Sequence, residues 1–499
     1  MRARREIGIS LLLGAALLGT VGAAAASAAP PRATISQATA ARALRRVELL
    51  LDGRHRAQRP RELTTTLLRL ARDLPRLAPG QRAEAKALLA RPTDADDPGG
   101  SSYSVPEQPP YCTAHFCVHY VATSADAPSL FDGDGSTIPD YVELVAGTAE
   151  FSFNVENGTL GWQPAKPDGT KGGDARTDIY LNELRGELFG YASPDPGQGT
   201  NRSQFAYLVL DNDYSADEFP GTVAVEVLEV TFAHEYNHIL QFGYDVLQDI
   251  WFYETSAVWM EDQVYGGIDD YFRYVKRWVK RTKLPLTRDD IKIYGSAVLD
   301  HWLAGRYGAA VIRTAWERAQ EVKPTGFSLH ALASAILSAG GSPLPREFAR
   351  FVAATAEWRT PGVFPYSDGA LYPDVKRRGK LHPGQFIKRR LSHLSYLLLR
   401  VRPRHVKRMK LLAGVRRGTD AAFALVCREG LVSQGKVTVK LKFAKNGGIR
   451  AVRLRKPGRC NRITAILINA DPRQSGFLFG DWIYRHDHEP FAATLVLNR

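Results

Sequence analysis

The apolar and polar positions of this 499-residue chain divide it into three parts. Residues 38–50 and 63–89 carry apolar residues at helical spacing and contain no strand signals. From residue 111, apolar runs predict strands at 118–122, 177–181 and 205–210, and helical patterns occupy 141–154, 225–242, 251–262, 270–281, 296–306 and 309–319. The last part has short β-rich runs at 394–401, 422–426, 437–443, 449–454, 463–469 and 492–497. The pattern predicts an α+β protein: a helical N-terminal region, a small sheet with helices, and an antiparallel β-sandwich.

The first residues have the pattern of an export signal. Arg2, Arg4 and Arg5 precede an apolar stretch at 7–26, and Ala26-Ser27-Ala28 form a small-residue cleavage pattern. This predicts a signal peptide at 1–28, with twin-arginine export also compatible and an uncleaved membrane anchor as the alternative. No later apolar run is long enough to span a membrane. We therefore expect a secreted, extracellular protein with no membrane span after signal removal.

Composition predicts the other domain boundaries. Residues 92–110 are rich in Pro, Asp, Gly and Ser, which is typical of a linker. The linker separates a helical N-terminal region at 29–91 from a domain at 111–380, and the β-rich domain follows at 381–499. A helical region joined in this way to a secreted protein is either a removable pro-region or a permanent cap, and both remain open.

Charge is segregated along the chain. From Asp374 to the end there are 29 Lys and Arg against 7 Asp and Glu, about +22, while the whole chain carries +14. Such a basic β-domain is suited to an anionic cell-surface polymer, and the alternative is a solvated surface without a ligand. Nucleic acid is an improbable partner because no aromatic-rich nucleic-acid motif accompanies the charge.

The most specific motif is H-E-x-x-H at residues 234–238, inside a predicted helix. Because residues four apart share one helix face, His234 and His238 are placed to bind one zinc ion together. Glu235 then lies beside the metal, where it acts as general base on the water that zinc activates. The spacing therefore predicts metal-dependent hydrolysis.

The next predicted helix offers a third ligand. Trp251, Glu254, Ala257 and Glu261 match W-x-x-E-x-x-A-x-x-x-E, the ligand helix of the aminopeptidase branch of the gluzincin metallopeptidases, which this chain resembles. The resemblance implies a zincin-like catalytic domain, with a small sheet, an active-site helix and a helical subdomain. It also implies that Glu254 is the third zinc ligand and that Glu261 holds a ligand histidine in its metal-binding tautomer.

Two further signatures broaden the resemblance. Residues 111–320, with Cys117-Val118-His119-Tyr120 upstream and Tyr294-Gly295 downstream, are similar to a set of secreted bacterial metalloproteases of myxobacteria and actinobacteria. Tyr294 stands where the aminopeptidase branch has a tyrosine that donates to the tetrahedral oxyanion, which implies a catalytic role. An ordinary buried tyrosine is the alternative, and His301 is a second candidate for the same role.

An acidic segment resembles an EF-hand calcium loop. Oxygen ligands would come from Asp132, Asp134, Ser136, the Ile138 carbonyl, Asp140 and Glu143. Thr137 occupies the position that usually requires glycine, and no helix is predicted before the loop. The alternative is an acidic turn that begins a helix.

The four cysteines form an even set in an exported chain, which predicts disulfides between neighbours in sequence: Cys112 with Cys117, and Cys427 with Cys460. A competing hypothesis groups the first pair with His115 and His119 as a second metal site.

Together these patterns predict a secreted zinc metallopeptidase that acts on a protein or peptide substrate, with Zn²⁺ as cofactor and Ca²⁺ as a second ion. The rival hypothesis is a secreted binding or adhesion protein that works through its basic β-domain and does not use its metallopeptidase module. No G-x-S-x-G, P-loop or dinucleotide fingerprint is present, so nothing favours a serine hydrolase or a nucleotide enzyme.

Overall fold

The computed structural model describes residues 36–52, 62–94, 102–184, 188–195, 202–321, 328–478 and 481–498. The predicted signal peptide at 1–28 and the centre of the predicted linker lie outside these residues. The described chain is a mixed α+β protein, as the sequence predicts. No described helix is both long enough and apolar enough to cross a membrane.

The N-terminal region is helical, which confirms the prediction from its periodicity. Its helices are α1 (Gln37–Leu51), α2 (Glu62–Asp73) and α3 (Pro79–Ala87). Ser36 caps α1, because its side-chain oxygen accepts from the backbone N–H of Thr39 at 3.3 Å. The apolar faces of these helices share one core with Tyr180 and Tyr207 of the adjoining sheet. The region is therefore docked on the rest of the protein by apolar burial.

That sheet has five strands in the order β1-β2-β3-β5-β4: β1 (Tyr111–Cys112), β2 (Phe116–His119), β3 (Thr177–Asn182), β4 (Gly190–Pro194) and β5 (Ala206–Asp211). Strands β2, β3 and β5 run parallel, and the edge strand β4 is antiparallel to β5. Alternate residues face opposite sides: Tyr180 packs on the N-terminal helices, whereas Ile179 and Leu181 pack on the helical core. Both faces are covered, so strands β2 to β5 are buried along almost their whole length.

The helices after the first strands form the largest core. They are α4 (Asp140–Phe153), α5 (Ala224–Tyr244), α6 (Ile250–Val264), α7 (Phe272–Trp278), α8 (Lys292–Gly295), α9 (Val298–Tyr307), α10 (Ala310–Glu321), α11 (Leu329–Ser338) and α12 (Leu344–Thr355). Large aromatic side chains fill their interior; the Phe252 ring, for example, stacks on Trp316 with ring centroids 4.4 Å apart. Gly295 is required by close packing, because a Cβ there would lie 2.7 Å from the Tyr274 carbonyl oxygen.

The C-terminal domain consists of two antiparallel four-stranded sheets, ordered β10-β9-β12-β7 and β11-β8-β15-β6, and a hairpin of β13 with β14. The bounds are β6 (Phe386–Leu391), β7 (Ser395–Val401), β8 (Arg408–Val415), β9 (Ala421–Glu429), β10 (Lys436–Ala444), β11 (Gly448–Arg455), β12 (Arg462–Asn469), β13 (Gln474–Leu478), β14 (Asp481–Tyr484) and β15 (Glu489–Asn498). Side chains from both sheets form one core, as a sandwich requires.

The sequence pattern missed β6 and β8, which carry basic residues at three and two of their positions. In β6 only Ile387 and Leu391 are buried, so the apolar signal is too sparse to predict a strand. By contrast, β9 and β12 are buried on both faces, since they also pack against the helical part through Ala424 and Ile466. The β-rich domain is thus fixed to the helices by one of its two sheets.

Candidate metal centre

The H-E-x-x-H motif lies in the middle of α5, between the sheet and α6. Every residue of α5 from Val227 to Tyr244 is buried except Glu229. His234, Glu235 and His238 each have an exposed fraction of 0%. The predicted pair of histidines is therefore in the protein interior, where polar side chains need partners.

Three potential ligand atoms converge between α5 and α6. The Nε2 atoms of His234 and His238 are 3.0 Å apart, and Glu254 Oε2 lies 3.4 Å from the first and 3.9 Å from the second. A tetrahedral zinc site with bonds of ~2.0–2.1 Å places its ligand atoms roughly 3.3–3.4 Å apart. The spacing and the donor set of two nitrogens and one oxygen therefore fit zinc.

Glu254 supplies a second indication that a cation belongs here. Its exposed fraction is 0%, and neither carboxylate oxygen accepts a hydrogen bond from any donor in the described part of the chain. Burying a neutral polar group without a hydrogen-bond partner costs about 1–3 kcal/mol. Burying a charged carboxylate without a donor or a cation costs more than that. A divalent cation between the three atoms would satisfy this carboxylate.

The outer nitrogens of both histidines fix their tautomers. His234 Nδ1 lies 2.7 Å from Glu261 Oε1, and His238 Nδ1 lies 2.7 Å from Gln241 Oε1. Gln241 must present its carbonyl to His238, because its amide nitrogen donates to Asn237 Oδ1 at 2.6 Å and to Ser256 Oγ at 3.0 Å. Each Nδ1 then carries its proton, and each Nε2 turns a lone pair toward the centre.

This protonation explains why the two imidazoles need an ion between them. With both protons on Nδ1, the 3.0 Å contact between the Nε2 atoms of His234 and His238 contains no hydrogen to share. Two lone pairs facing each other repel, whereas a cation between them binds both. The tautomers and the spacing therefore lead to the same conclusion.

Glu235, the predicted general base, is held by groups outside α5. Its Oε2 accepts from Thr64 Oγ1 at 2.6 Å and from the backbone N–H of Ala192 at 3.1 Å. The Ala192 N–H also lies 2.9 Å from Thr64 Oγ1, so the three groups form one small network. Ala192 belongs to the edge strand β4, and Thr64 belongs to α2 of the N-terminal region.

Helix α2 thus closes the site on the side of Glu235. It is fastened by Arg69, which lies 2.6 Å from Asp289 Oδ2, and by Arg72, which donates to the Gln248 carbonyl at 3.2 Å. Helix α2 itself is buried from Leu63 to Leu68. In this arrangement His234, His238 and Glu254 are not exposed to solvent.

The two candidates for oxyanion stabilisation differ in position. Tyr294 is fully buried, and its ring lies beside His234 with centroids 6.3 Å apart. His301 is surrounded instead by Tyr271, Tyr366 and, at 3.7 Å from its Nδ1, Asp262. Burial lowers the pKa of His301 to about 3, so it is neutral at ordinary pH. Tyr294 is therefore the candidate that lies near the ligands.

The acidic loop brings some of its predicted ligands together. One carboxylate oxygen from each of Asp132, Asp134 and Asp140 lies within 4.8 Å of the others, and Glu143 does not join that group. Thr137 adopts a φ of 75°, the left-handed conformation that glycine would supply at this position. Ser136 Oγ lies 3.2 Å from the Ile138 carbonyl oxygen, which places both in the same turn.

Both predicted disulfides are present. Cys112 pairs with Cys117 across β1 and β2, and Cys427 pairs with Cys460. The hypothesis of a second metal site at the first pair is wrong, because the sulfurs bond to each other. His115 is instead paired with Glu150 at 2.7 Å, and His119 with Asp178 at 3.0 Å.

Comparison with known proteins adds no family. No protein-family model matches the chain, and no curated protein matches it as a relative.

Sequence reasoning missed several groups at this site. Gln241 stands three residues after His238, so a helical wheel places it on the same face, and that signal was available. No local pattern in the sequence indicates the contacts of Glu235 with Thr64 and with the Ala192 N–H, because these groups are 171 and 43 residues away in the chain. Only the tertiary structure brings these elements together.

Proposed function

We propose that this protein is a secreted zinc-dependent metallopeptidase. The observation that carries the proposal is the convergence of His234, His238 and Glu254 around a point where a fully buried carboxylate has no other partner among the described residues. Two disulfides in the described chain are compatible with an oxidising, extracellular location.

Each residue has a definite chemical task in this proposal. When bound, zinc supplies Lewis acidity and activates a water molecule for attack on a peptide carbonyl. Glu235 removes the proton from the attacking water and delivers it to the leaving amine. Tyr294 is placed on the His234 side of the site, where a phenol can donate to the developing oxyanion. Glu261 and Gln241 keep the imidazoles oriented.

We also propose that residues 29–91 are an inhibitory pro-region rather than a permanent cap. The Thr64 hydroxyl donates a 2.6 Å hydrogen bond to the carboxylate of Glu235. In the proposed reaction this carboxylate must be available to accept a proton from water. The same helix covers the edge of β4 by accepting from the Ala192 N–H. A helix that covers both the base and the edge of β4 keeps the enzyme latent until it is displaced.

The test compares the zinc-loaded full chain with the same protein cut at a protease site inserted between residues 94 and 102. Hydrolysis of a mixed peptide library is followed by mass spectrometry, after the N-terminal fragment has been separated. We expect little activity before cleavage and strong activity afterwards. Activity of the intact chain equal to that of the cut form would leave the peptidase standing and contradict latency. If neither form hydrolyses any peptide, the peptidase proposal itself fails.

A point variant tests the inhibitory contact itself. Thr64→Val removes the hydrogen bond to Glu235 at nearly constant volume, so we expect the N-terminal fragment of this variant, added back to the processed enzyme, to inhibit it less strongly than the wild-type fragment does. Thr39→Val makes the same change in α1 and serves as the matched control, because Thr39 contacts Ser36 and Arg42 instead. Equal behaviour of the two variants would contradict a role for the Thr64 contact.

A further inference from the structure

A second concave site lies between the helical part and the β-domain, away from the candidate metal centre. It is a cavity of about 870 Å³. Lys276 and Lys280 line one wall, at α7 and just beyond it. Arg400, Arg402 and Arg404 line the other, at the end of β7 and in the loop that follows. Further lining residues come from the segment 373–383, which joins the two parts, and from Asn461, Arg462 and Ile463 at the start of β12.

The lining is strongly cationic. Nine lysine and arginine residues face one acidic residue, Asp374. Two of the nine are neutralised: Arg377 lies 3.4 Å from Glu357, and Arg462 lies 2.5 Å from Glu357 and 3.0 Å from Asp374. Within the described residues, the other seven have no carboxylate within 4.0 Å. So many unpaired cations around one concavity repel one another and focus a positive potential into it.

We propose that this cavity binds a linear polymer of phosphate groups that carries no nucleobases. Phosphate suits the lining because arginine forks bind its oxygens in pairs and lysines add point charges. A polymer without bases is favoured over nucleic acid because no Phe, Tyr or Trp lines the cavity as a stacking platform, although His382 and the arginines are present. A chain of phosphates, rather than one phosphate, matches cations spread over both walls of an 870 Å³ space.

The position of these cations separates a site from a merely basic surface. Lys440 and Lys442 are also exposed, but they lie on β10, at the opposite edge of the sheet that ends with β7. They do not line the cavity. They therefore offer a control that has the same chemistry in a different place.

The experiment uses the full chain and a short linear inorganic polyphosphate of defined length, with binding measured by calorimetry at about 0.1 M salt, where screening already suppresses distant charges. The pocket variant is Lys280→Glu with Arg402→Glu, and the control is Lys440→Glu with Lys442→Glu, so both variants have the same net charge. Because Lys280 and Arg402 are exposed and unpaired in the described structure, we expect both variants to fold, which thermal melting verifies.

We expect the control to bind as the wild type does and the pocket variant to bind about tenfold or more weakly. Equal weakening in both variants would overturn the proposal in favour of diffuse charge, and absence of wild-type binding would overturn it directly. An oligothymidylate with the same number of phosphates should bind more weakly than polyphosphate. Binding of the two with equal affinity would contradict the assignment to a base-free polymer.

Discussion

The candidate zinc centre and the acidic loop both gather carboxylates, but they do so in opposite environments. Glu254 is fully buried and accepts no hydrogen bond from the described residues, so its charge is uncompensated without a cation. Asp132 lies in an exposed loop, where desolvation is the largest single influence and raises its pKa, but hydrogen bonds from the backbone N–H groups of Thr137, Gly135 and Ser136 together lower the pKa overall. The first site therefore depends on an ion much more than the second does.

The largest expected effect is on the base of the buried site. Glu235→Gln keeps both histidines and Glu254 but removes the proton acceptor. In the processed enzyme we expect peptide hydrolysis to fall by about 10²–10⁴-fold while zinc content stays unchanged. Steady-state assays and metal analysis of the same sample check this. Hydrolysis near the wild-type rate would rule out Glu235 as the base.

The second largest effect is expected when the third zinc ligand, Glu254, is replaced. Glu254→Gln replaces a carboxylate by a neutral amide, which is a poor ligand for Zn²⁺, so zinc affinity should fall severely. Competition with a zinc-binding dye measures the change. Asp262→Asn is the control on the same helix, because Asp262 points toward His301 and Tyr366 instead. Zinc retention by the Glu254 variant would show that the ligand set is different.

The groups that orient the histidines should matter less than the ligands do. Glu261→Gln weakens the 2.7 Å contact with His234 Nδ1, and Gln241→Leu removes the equivalent contact with His238. We expect a loss of about 10–100-fold in zinc affinity or activity for each. A loss as large as that of the Glu254 variant would mean that Glu261 is a ligand and not an orienting group.

The smallest effect is expected at the acidic loop. If the loop binds Ca²⁺, adding calcium should raise the melting temperature, because an ion that binds only the native state stabilises it. Asp132→Asn with Asp134→Asn should abolish that increase while leaving zinc content and peptidase activity intact. A calcium response that persists in the double variant would place the ion elsewhere.

Local sequence patterns correctly predicted the features that depend on residues close together in the chain. The spacing of His234, Glu235 and His238 on one helix could be read from the sequence, and so could the disulfide partners. The match of Glu254 to a known ligand helix led to a residue that the fold brings to the histidines. By contrast, Thr64 acts on Glu235 through tertiary packing, and periodicity carries no information on which helix covers which site.

The same limit applies to the cationic cavity. The sequence revealed a basic C-terminal part, but Lys276 and Lys280 lie about 120 residues before Arg400 and Arg402 in the chain, and only the packing of helices on the β-sandwich places them together. The count of charged residues therefore predicted a positive charge on this part of the protein, but it did not predict the cavity. The missed strand β6 follows the same logic, since its basic side chains surround only two buried positions, Ile387 and Leu391.

X-ray absorption of the zinc-loaded protein identifies the metal's own neighbours and so tests the assignment of the zinc ligands. We expect one zinc per chain with nitrogen and oxygen ligands at about 2.0–2.1 Å, including two imidazoles. This signal should disappear from the His234→Ala variant. A protein that retains no zinc after dialysis, or a zinc ion with sulfur neighbours, would contradict a centre formed by His234, His238 and Glu254.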